Sequence, residues 1–359
     1  MKILIGICGI GNGHVNRQSN VINLLLSYNH KLVIATTRNN IEYFENNFKN
    51  VEVLEVNIPW IACNTKGIDF KTSIKKYDEN KIDQFKSFLI FSQKVEEKFG
   101  CKPDLIISDY EPNVAQYSYA TDIPLICMEQ QSKFLYLDEI KIENLSILEE
   151  KKRINYFFPK YDYKIISSFF PIIIKDKKVK IVPPIISKLK ENSYKKNHIL
   201  VYLSPYENSL NYIKLLNVLN NINNYLIIVY TKEKFVKKYS KNIIFKEYSN
   251  DFKNDLENSY CLISTAGHQL LSESISINIP QYLIPLNTYE QKYNAKMIEK
   301  YGLGMWARDI NEDEIKKFIK NVEIYKSNIK MFKIKYYKND WESVLLKIVN
   351  KYEFKNNSK

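Results

Sequence analysis

The chain of 359 residues predicts two open α/β domains, each a doubly wound parallel sheet with helices on both faces. Three observations predict this class. Short apolar runs alternate with amphipathic stretches through the first half, the same alternation restarts after a proline-punctuated polar segment, and the first run breaks at once into a glycine-rich turn. The length suits two domains of ordinary size, each able to bury its own core.

Lys2-Ile3-Leu4-Ile5-Gly6-Ile7-Cys8 reads as a buried strand, and Gly9-Ile10-Gly11-Asn12-Gly13-His14-Val15-Asn16-Arg17 as a tight turn opening a helix over 14–27. At such a turn bare backbone can approach a phosphate or a sugar, and His14 sits on it. The spacing departs from the dinucleotide fingerprint G-x-G-x-x-G, because its third glycine comes one residue early and a histidine follows. The second strand, 31–36, runs into Thr37-Arg38 with no acid to hold a ribose, although Arg38 leaves a 2′-phosphate and hence an NADP-linked oxidoreductase as a competing reading. Further strands are expected at 51–56, 104–108, 124–127 and 163–167, and helices at 39–47, 80–99 and 112–120. Pro183-Pro184 and the lysine-rich stretch 188–197 read as a linker. Strands then restart at 198–203, 225–230, 242–245, 260–263 and 283–285.

Composition narrows the function. With 45% hydrophobic and 26% charged residues the chain reads as a soluble globular protein. Its longest apolar candidate, Ile165 to Ile174, is interrupted by Ser167, Ser168 and Pro171 and falls short of a membrane span. The N-terminus enters strand one without a basic leader and cleavage site, so a cytoplasmic location is expected. Five scattered cysteines, at 8, 63, 101, 127 and 261, support neither a disulfide framework nor a zinc site. The net charge of +13 is spread along the chain rather than interleaved with aromatics, so nucleic acid is not an expected partner. A solvated basic surface is the plain reading; attraction to an anionic membrane face or to pyrophosphate-bearing substrates is the functional one.

Two groups of residues carry chemistry. The strand at 104–108 delivers Asp109-Tyr110-Glu111-Pro112 at the same sheet edge as the glycine turn, so Asp109 or Glu111 can reach His14, fix its tautomer and make the other ring nitrogen a base. The competing assignment has Asp109 capping the helix after Pro112 and His14 as a polar lining residue. In the second half, Ser264-Thr265-Ala266-Gly267-His268-Gln269 opens a helix: Ser264 and Thr265 are good caps, Ala266-Gly267 keeps its start open so that free N–H groups suit a diphosphate, and Glu273 is placed for a ribose diol. Glu290 and Gln291, after the next strand, are candidates for sugar hydroxyls.

On these residues the chain resembles the GT-B glycosyltransferases, two Rossmann-like domains facing a central cleft. Within them it is similar to the branch containing the lipid-linked N-acetylglucosaminyltransferase of peptidoglycan synthesis. The resemblance rests on the turn from Gly9 to Arg17, Asp109-Tyr110-Glu111-Pro112, Ser264 to Glu273, and Tyr289-Glu290-Gln291 with Asn294-Ala295. It implies a domain over 1–186 bearing the acceptor side and the base, a donor domain over 187–335, and a closing helix, 336–359, returning to the first domain. It implies His14 with Asp109 as an inverting dyad like that of plant-type members, with Asn12 and Arg17 on the acceptor side and Gly11 to His14 near the reacting sugar. On the donor side it implies Gly267 and His268, with Thr265 and Ala266, at the diphosphate, and Ser204 touching the phosphates. Glu273 is then at the ribose, Gln291 at the sugar, and main chain near Tyr248 and Ser249 at the base. His268 stands where the peptidoglycan enzyme has a small residue.

The expectation is a metal-independent inverting transferase that takes a UDP-sugar as substrate, needs no cofactor, and serves a surface-glycan or lipid-linked acceptor. No D-x-D triplet occurs. A nucleotide-sugar 2-epimerase and a non-catalytic sugar-binding protein are the alternatives. Trp341, Val344, Leu345, Ile348 and Val349 form an apolar stripe expected to be core, with a lysine-flanked contact at the inner membrane face as its rival.

Overall fold

The computed structural model describes residues 1–9, 12–56, 63–64, 67–68, 75, 84–142, 145–191, 198–203, 209–231, 239–249 and 251–357. The first domain runs β1 (Lys2–Ile7), α1 (Asn12–Ser27), β2 (Lys31–Thr36), α2 (Arg38–Asn47), β3 (Glu52–Glu55), a small hairpin of β4 (Cys63–Asn64) and β5 (Gly67–Ile68), and α3 (Gln84–Phe99). It continues with β6 (Leu105–Asp109), α4 (Pro112–Thr121), β7 (Leu125–Glu129), a 3-10 turn (Gln131–Leu135), α5 (Ile147–Phe157), β8 (Tyr163–Ser167) and β9 (Val179–Val182). Among the described residues, the strands other than the β4-β5 hairpin pair in the order β3-β2-β1-β6-β7-β8-β9, and each neighbouring pair is parallel.

The second domain opens with β10 (His198–Tyr202), α6 (Ser209–Leu219), β11 (Leu226–Tyr230), β12 (Ile243–Lys246), α7 (Asp251–Glu257) and β13 (Ser259–Ser264). It closes with α8 (His268–Ser276), β14 (Gln281–Leu283), α9 (Tyr289–Lys300), β15 (Gly304–Trp306), α10 (Glu312–Lys320) and α11 (Val322–Tyr336); α12 (Trp341–Asn357) ends the chain. The six strands pair in the order β12-β11-β10-β13-β14-β15, again all parallel.

The central strands are apolar without alternation because helices cover both faces. Ile3, Leu4, Ile5 and Ile7 of β1 are all fully buried, as are Ile199, Leu200 and Val201 of β10. In each sheet the strand order reverses beside the first strand, between β1 and β6 and between β10 and β13. Such a reversal leaves a crevice at the carboxyl ends of the strands.

One expected strand is displaced and two edge strands are added. The expected strand 283–285 is displaced to Gln281–Leu283, because Pro285 has no N–H to give a ladder. Val179–Val182 and Gly304–Trp306, edge strands of four and three residues, were not foreseen. Most of the proposed linker, 192–197, lies outside the described residues.

The closing helix α12 buries Leu345, Ile348 and Val349 in one core with Ile3, Ile5 and Ile7 of β1, while Trp341 and Val344 pack partly buried against it. Aromatic side chains join the two domains. Phe134 meets Tyr289 and Tyr293 edge-on, each at 5.8 Å between centroids, and Phe170 lies 5.8 Å from Tyr293. The Tyr289 hydroxyl also accepts from the Ile140 backbone N–H at 3.1 Å. Edge-to-face pairs of this kind add about 0.5–1.5 kcal/mol each beyond area burial, so the interface is held apart from any ligand. Among the described residues no helix is long and apolar enough to cross a membrane.

Candidate active site

The site begins at the end of β1. Parallel pairing places Ile7 opposite Asp109 at the end of β6, and the Cys8 N–H donates to the Asp109 carbonyl at 3.0 Å. The chain then passes Gly9, where a Cβ would stand 1.8 Å from the Thr37 hydroxyl oxygen, so only glycine clears the end of β2. That route starts α1 directly in front of Asp109.

Asp109 is fully buried and collects donors. His14 Nδ1 lies 2.8 Å from Oδ1. Arg17 gives Nε to Oδ2 at 2.9 Å and Nη2 to Oδ1 at 2.7 Å, and Gln18 Nε2 adds a contact to Oδ2 at 2.9 Å. Gln18 is itself anchored on the Met128 carbonyl at 3.1 Å. Burial alone would raise the Asp109 pKa; the Arg17 charge and then His14 reverse this and hold it at about 2. His14 Nδ1 also lies 3.1 Å from Arg17 Nη2, but the Asp109 oxygen at 2.8 Å is nearer and an ionised Asp109 only accepts, so in the neutral ring the proton belongs on Nδ1 and Nε2 is the acceptor.

Tyr110, next in the chain, takes φ 55°, a left-handed conformation that is costly for a bulky side chain. On either side of it Asp109 bonds α1 and Glu111 bonds the start of α4. The Tyr110 ring stacks near His14 with centroids 6.4 Å apart.

Two expectations on this side are corrected. Glu111 is not an acid facing the cleft: it is the N-cap of α4, accepting from the Asn113 and Val114 N–H groups at 3.0 and 2.8 Å. Asp109 is therefore not that helix's cap. Arg17 does not face an acceptor, since its guanidinium is 2% exposed and spent on Asp109. Asn12 begins α1, its side chain outside the described residues, as is Gly11.

On the second domain, β13 ends at Ser264 and α8 begins at Gly267 as N-cap without any side-chain cap. A Cβ at Gly267 would meet nothing within 4 Å, so the helix start opens on free space with unpaired first-turn N–H groups. Thr265 and Ala266 are buried behind it. His268 is 4% exposed and packs its ring 5.5 Å from Phe169. Among the described residues neither of its ring nitrogens has a partner. Burial first, then the Lys133 and Arg17 charges, push its pKa well down, so the ring is neutral.

Glu273 accepts from Gln269 Nε2 at 3.0 Å, and burial raises its carboxyl to about 7. Gln269 also donates to the Ile185 carbonyl at 3.3 Å. A Cβ at Gly13 would come 3.2 Å from Gln269 Cβ, so the start of α1 in the first domain lies against α8 of the second.

Helix α9 braces this loop. Gln291 Oε1 accepts from the Ala266 and Leu286 N–H groups at 3.0 and 2.9 Å, and Asn294 donates to the Ala266 carbonyl at 3.0 Å. The Gln291 carbonyl, expected at a sugar, is thus occupied by backbone. Glu290 accepts from Gln130 of the first domain at 2.7 Å. Tyr248, at the end of β12, is exposed and sits among Tyr202 and Phe252 rings at 5.8 and 5.2 Å; Ser249 accepts from the Asp251 N–H at 3.3 Å. Ser204 lies outside the described residues.

Sequence reasoning missed Gln18, Gln130 and Lys133. Gln18 was within reach of it, four residues after His14 on one helix face. Gln130 and Lys133 stand on a turn with no motif.

Solved structures share the fold. A Phytolacca americana protein, UGT2, complexed with UDP-2fluoro-glucose and pterostilbene, has a TM-score of 0.71 at 12% identity, covering 98% of this chain and 99% of that one. The spinosyn forosaminyltransferase SpnP gives 0.69 at 12% identity, over 98% and 99% of the two chains. The calicheamicin glycosyltransferase CalG4 gives 0.68 at 13% identity, over 98% of each. No curated protein sequence matches significantly. The sequence pattern of glycosyl transferase family 1 matches residues 1–323. The chain belongs to that family and is a GT-B glycosyltransferase.

Proposed function

We propose that this glycosyltransferase transfers a sugar with inversion from a nucleoside-diphosphate sugar to a hydroxyl of a surface-glycan or lipid-linked acceptor, in the manner of the peptidoglycan branch. The observation that carries the reading is the buried His14–Asp109 pair at 2.8 Å. With Nδ1 held by Asp109, Nε2 takes the acceptor hydroxyl proton as the oxygen attacks the anomeric carbon. The new C–O bond forms on the face of the anomeric carbon opposite the leaving diphosphate, the bond to the diphosphate oxygen breaks, and its electron pair leaves with the diphosphate. The uncapped start of α8 at Gly267 receives that charge in place of a metal. Glu273 takes the ribose diol, Glu290 the sugar hydroxyls, and the face around Tyr248 and Ser249 the base. A UDP-sugar is the first donor to try, since one of the similar solved proteins is complexed with UDP-2fluoro-glucose.

The chain's net charge of +13 favours an acceptor at an anionic membrane face. Incubation with a panel of nucleotide sugars tests the reading. Slow release of free nucleotide supports transfer, and interconversion of the sugar would replace transfer by epimerisation. Nucleotide binding alone would leave a binding protein. A thermal-shift panel of UDP, GDP, CMP and dTDP names the base, because a ligand at 100 times its Kd stabilises by about 2.7 kcal/mol.

A further inference from the structure

Lys133 is an unusual lysine: it is fully buried, in the 3-10 turn after β7, at the interface between the domains. Its ammonium lies over the Phe134 and Phe170 rings at 5.1 and 5.9 Å and hydrogen-bonds the Gln130 carbonyl oxygen. The Gln130 amide nitrogen in turn donates to Glu290 Oε1 at 2.7 Å, across the domain boundary. Gln130 is 4% exposed. Its amide has one allowed orientation, because a lysine only donates and a carboxylate only accepts. The link therefore runs one way, from a first-domain cation through an amide to a second-domain acid.

We propose that Gln130 is a positioning residue for the donor sugar, carrying the hold of Lys133 across the interface to Glu290 and so fixing which sugar hydroxyls Glu290 accepts. The inference rests on the reading of Glu290 as a sugar-binding residue. It makes donor choice a property of both domains: the acid stands on α9, and its geometry is set from the turn after β7. Fixing a charged acceptor by a directional bond sharpens discrimination between hydroxyl epimers, since a site built for one hydroxyl leaves buried polar groups unpaired with the other.

The relay also has a pH signature. Lys133 faces Glu290 on α9, Glu129 at the end of β7 and Glu150 on α5, which favour its charge, and Arg17 on α1, which opposes it; His268 on α8 is neutral. Burial outweighs the acids and lowers Lys133 to about 8. Above that value the group loses its charge, and its hydrogen bond to Gln130 weakens to that of a neutral amine.

The test uses the full chain and two epimeric donors, UDP-glucose and UDP-galactose, with free UDP as the sugarless control. In Gln130→Met the ratio of kcat/KM between the epimers is expected to fall at least tenfold, with donor KM raised and UDP affinity unchanged. An unchanged ratio in the folded variant, or a parallel loss of UDP affinity, overturns the inference. Should Gln130→Met fail to fold, Lys133→Met decides: the same fall in the epimer ratio with UDP affinity unchanged is expected, and an unchanged ratio in that folded variant overturns the relay. Absence of turnover of every nucleotide sugar by the unmodified protein overturns the donor reading itself, and the relay with it.

Discussion

On the first domain's side of the cleft, both oxygens of Asp109 are engaged, by His14, Arg17 and Gln18. On the second domain's side α8 begins without a side-chain cap and opens on empty space at Gly267, and His268 carries two unpartnered ring nitrogens among the described residues. One region is complete in itself and the other awaits a partner. A base must be aimed before the reaction starts, so its hydrogen bonds are made in the folded chain. A diphosphate brings its own acceptors, so a helix start proposed to bind one gains by leaving N–H groups unmatched.

The largest contrast is in stability. Asp109→Asn leaves the buried Arg17 guanidinium without its counter-charge, and a loss of about 3–5 kcal/mol is expected in denaturant unfolding. His268→Leu removes a ring that forms no hydrogen bond among the described residues, so its cost is expected to stay below about 1.5 kcal/mol. Equal costs for the two would break the comparison. Next comes ligand affinity: Glu273→Ala is expected to weaken UDP binding by about 1.5–3 kcal/mol in a calorimetric titration. His14→Ala should leave that binding unchanged.

The two sides also respond oppositely to pH. Asp109 is held at about 2 against 3.8 in the unfolded chain, so its contribution is present above pH 4 and is lost as pH falls toward 2. Glu273 is raised from 4.5 to about 7, so the folded state keeps a proton the unfolded chain has released, and stability falls as pH rises through that window. In Glu273→Gln the melting temperature between pH 5 and 8 is expected to flatten; a slope unchanged from that of the parent places the cause elsewhere.

How much of this the sequence disclosed follows from how each residue gets its partner. His14 and Asp109 were legible together because neighbouring parallel strands bring the turn after β1 and the end of β6 to one edge. The open start of α8 was legible from Ala266-Gly267 after an apolar strand, but Ser264 and Thr265, good caps by residue type, do not cap it, because the N-cap position falls on Gly267. Arg17 was misplaced because a long side chain on the correct helix face can turn inward, and only the depth of Asp109 decides that it does. Glu111 lost its expected role to a local bond, the cap of α4, that Pro112 makes geometrically natural. Gln130 and Lys133 were out of reach, since nothing local announces that the turn after β7 meets a helix 160 residues later.

The central claim is that His14, aimed by Asp109, takes the proton from the acceptor while the donor is held by the other domain. Steady-state turnover of the accepted nucleotide sugar by His14→Ala, with UDP affinity measured on the same preparation, tests it most directly. The account predicts turnover reduced about 10²–10⁴-fold with UDP affinity intact. Turnover within a few-fold of the parent, or a loss of UDP binding in step with activity, would contradict it.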